Sequence, residues 1–227
     1  LYEDCAHLQP GVSAFDYADQ DPHSKRIFDA NDWRSFNITK DDIARSRRAY
    51  FANISYLDDK IGEILQTLED TRQEATILFV SDHGDMLGER GLWFKMCFFE
   101  GSARVPLMIS APQMKNGKIG KPVSNVDILP TLCDLASVDM SEIMPWTDGE
   151  SLIPMAPSEG KAQNRSGPVL IEYAAEASYA PLVSIREGKY KFNHCELDPP
   201  QLFDLSNDPH ELNNLAADPA YEKQVAK

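Results

Sequence analysis

Apolar residues recur along this chain with two different spacings, which predict one long helix and several short strands. The longest regular stretch begins at Thr39 and ends near Asp70, and its apolar residues are three or four positions apart: Tyr50, Ile54, Leu57, Ile61, Ile64, Leu65 and Leu68. This spacing is typical of an amphipathic helix, here of about eight turns. Thr39 followed by Asp42 resembles a capping box. We therefore expect the helix to begin there and to cover a sheet with its apolar face.

The strand predictions come from short apolar runs between polar residues. Thr76–Val80 is rich in β-branched and aromatic residues, which is typical of a strand buried on both faces of a parallel sheet. Val105–Ser110 predicts a second buried strand. Later segments separated by turn signals predict a small antiparallel sheet, at Val169–Tyr173, Leu182–Arg186 and Tyr190–His194.

A change of composition between Val138 and Gly167 predicts a domain boundary. This stretch is rich in Pro, Gly, Ser and Met, as linkers between domains commonly are. We therefore expect residues 1–150 to belong to an α/β domain. Residues 151–227 are expected to form a small C-terminal αβ subdomain.

Composition restricts the partners more than it restricts the fold. The chain is 42% hydrophobic and 26% charged, which is ordinary for a soluble globular protein. Its 36 acidic and 22 basic residues give a net charge of −14, which argues against nucleic acid or an anionic membrane surface as a partner. The chain opens on LYEDCAHL without an initiator methionine, so we expect it to be part of a longer protein. Its four cysteines lack a C-x-x-C pairing, so reduced thiols are expected, with a disulfide as the alternative.

Candidate chemistry follows the strand Thr76–Val80 directly. Asp82 and His83 come next, at the sheet edge where ligands bind in open α/β folds. An acid and an imidazole placed there are candidate metal ligands or proton-transfer groups. A glycine-rich loop then leads to Lys95. Its ammonium can reach back toward the carboxylate and help to hold a tetrahedral dianion such as sulfate or phosphate.

These residues also permit an interpretation without chemistry. Asp82 could cap backbone amides in a simple turn, with His83 satisfied in the interior. Lys95 could be a surface lysine paired with Glu89 or Glu100. Residues 1–38 are polar and loop-like, and a segment of this kind either wraps another element or lines a site. The same two interpretations apply to its side chains Tyr17, Asp21, His23 and Trp33.

The longer string SDHGDMLGERGLWFKMCFFEGSARVPLMI, which begins at Ser81, resembles the sulfatase family of the alkaline-phosphatase superfamily. The resemblance spans the chain and is strongest to choline-sulfatases. It implies an α/β fold, an alkaline-phosphatase-like sandwich with a largely parallel sheet, of which this chain would be the C-terminal half. The implied activity is hydrolysis of a small sulfate ester, choline sulfate, by a cytoplasmic homo-oligomer.

The same resemblance implies roles for five residues. Asp82 would be an oxygen ligand to Ca²⁺, with Mg²⁺ or Mn²⁺ as alternatives. His83 would be a second metal ligand, or would act on the ester oxygen as an acid or base. Lys95 would bind a sulfate oxygen and balance charge on the leaving alkoxide. Glu172, with Tyr173 beside it, is expected to be a buried acid that binds the quaternary ammonium of choline, unless a basic residue of the fold pairs with it.

The nucleophile of sulfatases has no counterpart in these 227 residues. It is a formylglycine made from a cysteine or serine in a C/S-x-P-x-R motif, and no cysteine here has a proline two positions later. Ser110 and Ser166 do, but they lack the arginine. We therefore expect the formylglycine upstream, and no turnover by this segment alone. The alternatives are a phosphonate or phosphate ester hydrolase of the same superfamily, or a non-catalytic protein that keeps a metal and anion site.

Overall fold

The computed structural model describes residues 9–112, 114–140, 144–155 and 167–226, in a chain that divides into two compact units. Unit 1 comprises Leu1–Pro112 and Ala175–Tyr179, and unit 2 comprises Gln113–Ala174 and Ala180–Lys227. The predicted division at residue 150 is a different partition and stays a prediction. Among the described helices, none combines the length and the hydropathy that a bilayer crossing requires.

Unit 1 contains the predicted long helix. Its helices are α1 (Pro22–Ala30), α2 (Lys40–Asp70) and the short α3 (Glu100–Ala103), with 3₁₀ turns at Tyr17–Asp19, Trp33–Ser35 and Glu89–Gly91. The Thr39 hydroxyl accepts a hydrogen bond from the Asp42 amide at 3.2 Å, and the Asp42 carboxylate accepts one from the Thr39 amide at 3.0 Å. This reciprocal capping box satisfies two amides that would otherwise lack partners. The predicted start and end of α2 are confirmed.

The apolar face of α2 differs from the prediction, because no residue of this helix is buried. Ile54 is 47% exposed and Ile64 is 62% exposed, while Tyr50 and Phe51 are half-buried. The described part of unit 1 offers a sheet of two strands, which is too small to bury a helix of 31 residues. The expectation that α2 covers a sheet is therefore not met within the described residues.

That sheet joins β1 (Ile77–Val80) to β2 (Leu107–Ser110), and the two strands pair antiparallel, with Val80 opposite Leu107. This corrects the predicted parallel arrangement for these strands. The chain between them passes through a loop and the short α3, so it returns to the same end of β1, whereas a parallel pair needs a crossover to the opposite end. All four residues of β1 are half-buried, which also corrects the expectation of burial on both faces.

Unit 2 contains the predicted antiparallel sheet. Its strands run in the order β3-β4-β5-β6, and every neighbouring pair is antiparallel. They are β3 (Val169–Tyr173), β4 (Leu182–Glu187), β5 (Tyr190–Cys195) and β6 (Gln201–Asp204). The helices are α4 (Ile128–Leu135) and α5 (Glu222–Val225), with 3₁₀ turns at Asn125–Asp127, Ile153–Met155 and Pro219–Tyr221. The bounds of β3 are those predicted, and β4 and β5 each extend one residue further.

This sheet has a buried core of its own. Leu202 and Phe203 of β6 are 1% and 2% exposed. The Lys191 amine on β5 lies 2.5 Å from the Glu211 carboxylate, and both side chains are almost completely buried. A buried charge is tolerated when an opposite charge neutralises it, and this pair meets that requirement.

The cysteines agree with the expectation of reduced thiols. Cys97, Cys133 and Cys195 form no disulfide, and the first and last of these are buried. Cys5 lies outside the described residues.

Candidate functional site

Asp82 and His83 lie just beyond the end of β1 and are both exposed. The Asp82 side chain is 83% exposed and that of His83 is 41% exposed. One carboxylate oxygen of Asp82, Oδ1, accepts a hydrogen bond from the His83 amide at 2.8 Å. The other, Oδ2, lies 3.4 Å from Nε2 of the His83 ring. The strand therefore delivers a carboxylate and an imidazole next to each other, as the sequence predicts.

Lys95 reaches this pair from the far side of the glycine-rich loop. Its Nζ lies 3.0 Å from Nε2 of His83. On the other side of the ring, Nδ1 lies 2.8 Å from the Gly84 carbonyl oxygen, which can only accept a hydrogen bond. Nδ1 therefore carries the proton, and Nε2 presents its lone pair to the lysine ammonium. The structure thus brings together the three polar residues that the sequence singles out in this loop.

The structure also bears on the alternative partners of Lys95. The Glu89 carboxylate accepts hydrogen bonds from the Gly11 and Val12 amides and forms an ion pair with Arg47. Glu89 thus links residues 11 and 12 to the glycine-rich loop. None of these interactions involves Lys95.

The charge of Asp82 is stabilised by its surroundings. The hydrogen bond from the His83 amide is the main reason that the pKa of Asp82 lies below its ordinary value of 3.8, and the nearby Lys95 ammonium lowers it further. A carboxylate that stays ionised well into the acid range is available to a cation or a dipole at neutral pH.

Gly84 fixes the distance between this loop and α3. Its amide donates to the Ser102 carbonyl oxygen at 2.7 Å. A Cβ atom on Gly84 would lie 2.1 Å from the Gly101 carbonyl oxygen, far inside van der Waals contact. This close approach of two backbones requires glycine at position 84.

The donor atoms fit part of a metal site. Asp82 Oδ2 and His83 Nε2 are 3.4 Å apart, so a single cation could touch both if it displaced the Lys95 ammonium from Nε2. However, the described residues contain no cluster of three or more His, Cys, Asp or Glu side chains that could hold a metal ion. Ca²⁺ takes six to eight oxygen ligands, so these two residues could provide only a minority of its coordination shell.

Glu172 and Tyr173 lie on β3, in unit 2. Glu172 is exposed and shares one face of the strand with Leu170, which is 52% exposed, while Tyr173 is half-buried. The expectation that Glu172 is a buried acid is therefore wrong for this chain. Side chains alternate along a strand, and Glu172 falls on the face of β3 that the described residues leave open.

Two residues anchor this loop through its backbone, and one of them, His23, carries no local sequence signal for that role. Nε2 of His23, on α1, lies 2.6 Å from the Met96 carbonyl oxygen. Asp85 Oδ1 accepts hydrogen bonds from the Leu87 and Phe94 amides. His23 lies more than 70 positions from its partner, so no short-range motif could have revealed the contact.

Solved structures that superpose on this chain identify its class of fold. A solved phosphonate monoester hydrolase of Agrobacterium radiobacter superposes with a TM-score of 0.72 at 29% identity, over 84% of this chain and 41% of that one. The predicted alkaline-phosphatase-like α/β class is thereby confirmed. The chain belongs to the sulfatase family. The family profile described as Sulfatase matches residues 7–138, and the profile described as N-sulphoglucosamine sulphohydrolase, C-terminal, matches residues 88–227.

Curated relatives lie in the same family. Choline-sulfatase of Rhizobium meliloti (strain 1021) is 60% identical over 221 residues, which are 96% of this chain and 42% of that protein. Arylsulfatase K of Danio rerio is 38% identical over 193 residues, which are 81% of this chain and 36% of that protein. The chain therefore spans less than half the length of these relatives. The predicted resemblance to sulfatases, and to choline-sulfatases among them, is confirmed.

Proposed function

We propose that this chain forms part of an enzyme that hydrolyses a sulfuric ester, with choline sulfate as its substrate. The observation that carries the proposal is the Lys95 ammonium, held 3.0 Å from His83 beside the Asp82 carboxylate. The 60% identity to a choline-sulfatase supports the choice of ester.

Lys95 is the residue to which we assign the sulfate. Its ammonium is exposed at the end of β1, where it could bind a sulfuryl oxygen. As the ester bond breaks, negative charge grows on the leaving alkoxide, and a cation already in place stabilises that charge without reorganisation. His83 keeps two candidate roles: a metal ligand through the lone pair of Nε2 or, with a proton on Nε2, a hydrogen-bond donor to the ester oxygen.

Asp82 and His83 are the residues that we assign to a divalent cation, Ca²⁺ in the first instance. Such an ion would withdraw charge from the sulfuryl oxygens. Two donors do not complete its coordination, so the assignment requires further oxygen ligands, such as carboxylates, carbonyls or water. The formylglycine nucleophile likewise has no candidate motif among the 227 residues.

Glu172 and Tyr173 are the residues that we assign to the substrate ammonium. A carboxylate or an aromatic ring suits a quaternary ammonium, which has no N–H to donate and binds through charge and π contact. Neighbouring residues of a strand point to opposite faces, so Glu172 and Tyr173 would each meet a ligand on its own face of β3. The exposure of Glu172 leaves its carboxylate accessible to a ligand.

A phosphonate or phosphate ester is the second candidate substrate. It is favoured by the similarity to the phosphonate monoester hydrolase fold, and a tetrahedral phosphoryl group offers oxygens to Lys95 in the same way.

The decisive experiment compares three esters. The protein expressed from the complete reading frame that contains this chain is assayed on choline sulfate, an aryl sulfate and phenyl phosphonate. We expect the highest kcat/KM with choline sulfate, and a loss of about 100-fold to 1000-fold in Lys95→Ala, which is typical of removing one preorganised charge-stabilising donor. Lys60→Ala, which removes an exposed lysine paired with Glu63 on α2, is the matched control and should change little.

The outcomes separate the alternatives. Preference for the phosphonate would support the second candidate, and binding of inorganic sulfate without turnover of any ester would support a non-catalytic protein. Full activity in Lys95→Ala would refute the role of Lys95. A homo-oligomer in the cytoplasm stays a prediction, which size-exclusion chromatography and cell fractionation would test.

A further inference from the structure

The backbone on both sides of Lys95 adopts an unfavourable conformation. Phe94 has φ of 60° and Met96 has φ of 56°, so both lie in the left-handed region although neither is glycine. In this region the Cβ atom crowds the following carbonyl oxygen, so residues other than glycine rarely adopt it. Two of them around one candidate catalytic residue require surrounding contacts that hold the backbone in place.

One set of contacts holds Phe94 from the side of His83. Asp85 Oδ1 accepts a hydrogen bond from the Phe94 amide at 3.1 Å and another from the Leu87 amide at 2.8 Å. The Met86 amide donates to the Phe94 carbonyl oxygen at 2.8 Å. Both backbone groups of Phe94 are thereby tied to residues that closely follow His83 in sequence.

A second contact holds Met96 from the side of α1. Nε2 of His23 lies 2.6 Å from the Met96 carbonyl oxygen, and a carbonyl can only accept, so Nε2 carries the proton and donates it. His23 is 7% exposed, so this ring is fixed within the packing of unit 1. The Phe94–Met96 segment is therefore anchored at its two ends by different elements.

We propose that Asp85 and His23 are positioning residues for Lys95. Neither is within contact of the Lys95 amine in these interactions, and each acts through a neighbouring peptide group. Together they hold the strained Phe94–Met96 backbone so that the ammonium points at His83. The inference rests on the proposed function, because it concerns the residue to which the sulfate is assigned.

Two substitutions at each position, one that keeps the hydrogen-bonding atom and one that removes it, test whether the hydrogen bond itself is needed. Asp85→Asn keeps an oxygen that can accept from the two amides, whereas Asp85→Ala removes it. Likewise His23→Gln keeps a nitrogen donor of similar reach, whereas His23→Ala does not. We expect Asp85→Ala and His23→Ala to lower kcat/KM for choline sulfate by about 10-fold to 100-fold, since small displacements of a catalytic group have effects of this size. The Asn and Gln variants should keep most of the activity.

A nuclear Overhauser contact between the Lys95 side chain and the His83 ring gives a readout that does not depend on turnover. We expect it to persist in the wild type and in Asp85→Asn, and to weaken in Asp85→Ala, with circular dichroism showing that each variant is folded. Equal losses in Asp85→Asn and Asp85→Ala, or an unchanged contact in Asp85→Ala and His23→Ala, would overturn the proposal. A wild-type protein that lacks sulfatase activity would instead refute the proposed function, while the Overhauser contact would still decide the positioning.

Discussion

The four-stranded sheet of unit 2 buries an ion pair and large apolar side chains, whereas the helix α2 of unit 1 leaves its large apolar side chains partly or largely exposed. The sheet encloses the Lys191–Glu211 ion pair and keeps Phe203 out of solvent. By contrast, α2 has no buried residue, and several of its large apolar side chains are more than 40% exposed. Buried side chains determine stability, whereas exposed ones contribute little. We therefore expect the stability of this chain to depend on the sheet much more than on the length of α2.

Lys191→Met is the most severe test of this comparison. It leaves the Glu211 carboxylate buried without the amine that lies 2.5 Å away, and breaking a buried pair in this way costs about 3–5 kcal/mol. The free energy of unfolding of the full chain is measured in urea by circular dichroism. The double variant Lys191→Met/Glu211→Leu should recover much of the loss, because an apolar pair of similar volume can replace buried charges. A loss below 1 kcal/mol in Lys191→Met would show that the sheet does not depend on this pair.

A second polar contact of the sheet, between Lys189 and Asp204, should make the stability of the chain depend on pH. Asp204 is buried and accepts hydrogen bonds from the Lys189 amine at 2.6 Å and from the Asn207 amide. The Lys189 contact is the main reason that the pKa of Asp204 lies below 3.8. Because the folded state binds this proton less readily than the unfolded state, the contribution is complete above about pH 4 and is lost as pH falls through the folded pKa.

The variant Asp204→Asn isolates that contribution from those of the other acids. It should lower the free energy of unfolding by about 1.5–3 kcal/mol at neutral pH, the usual worth of a hydrogen bond to a charged group. The difference between wild type and variant should shrink as pH falls below about 4 in urea titrations. A difference that stays constant with pH would contradict the assignment.

Ile64→Lys on α2 should have the smallest effect. Ile64 is 62% exposed, and substitutions at such positions usually change stability by less than about 0.5 kcal/mol. Phe203→Ala, at a position 2% exposed, is the matched control and should cost about 3–5 kcal/mol. A loss above 1 kcal/mol in Ile64→Lys would show that the apolar face is covered in solution, and sedimentation would reveal whether a second copy covers it.

Local patterns predict much of this fold because they act through neighbouring residues. The capping box at Thr39 fixes the start of α2, and the turn signals around Val169–Tyr173 fix the bounds of β3. The approach of Lys95 to His83 is also predictable, because a glycine-rich loop of limited length joins them.

Two of the misses concern partners that are distant in sequence, and the third concerns which face of a strand is covered. The run at β1 predicts a strand but not the antiparallel β2 beside it. An acid within an apolar run suggests burial for Glu172, yet strand alternation places it on an open face. The donation from His23 to Met96 depends on the packing of α1, which no local pattern encodes.

The close approach of Gly84 to Gly101 has a consequence for how this site tolerates change over evolution. Gly84 has no side chain to offer to a reaction, yet even a methyl group there would force the loop away from α3 and displace the neighbouring imidazole. Selection would therefore retain glycine at this position for lack of space alone. The residue with the least chemistry is among the hardest in the site to replace.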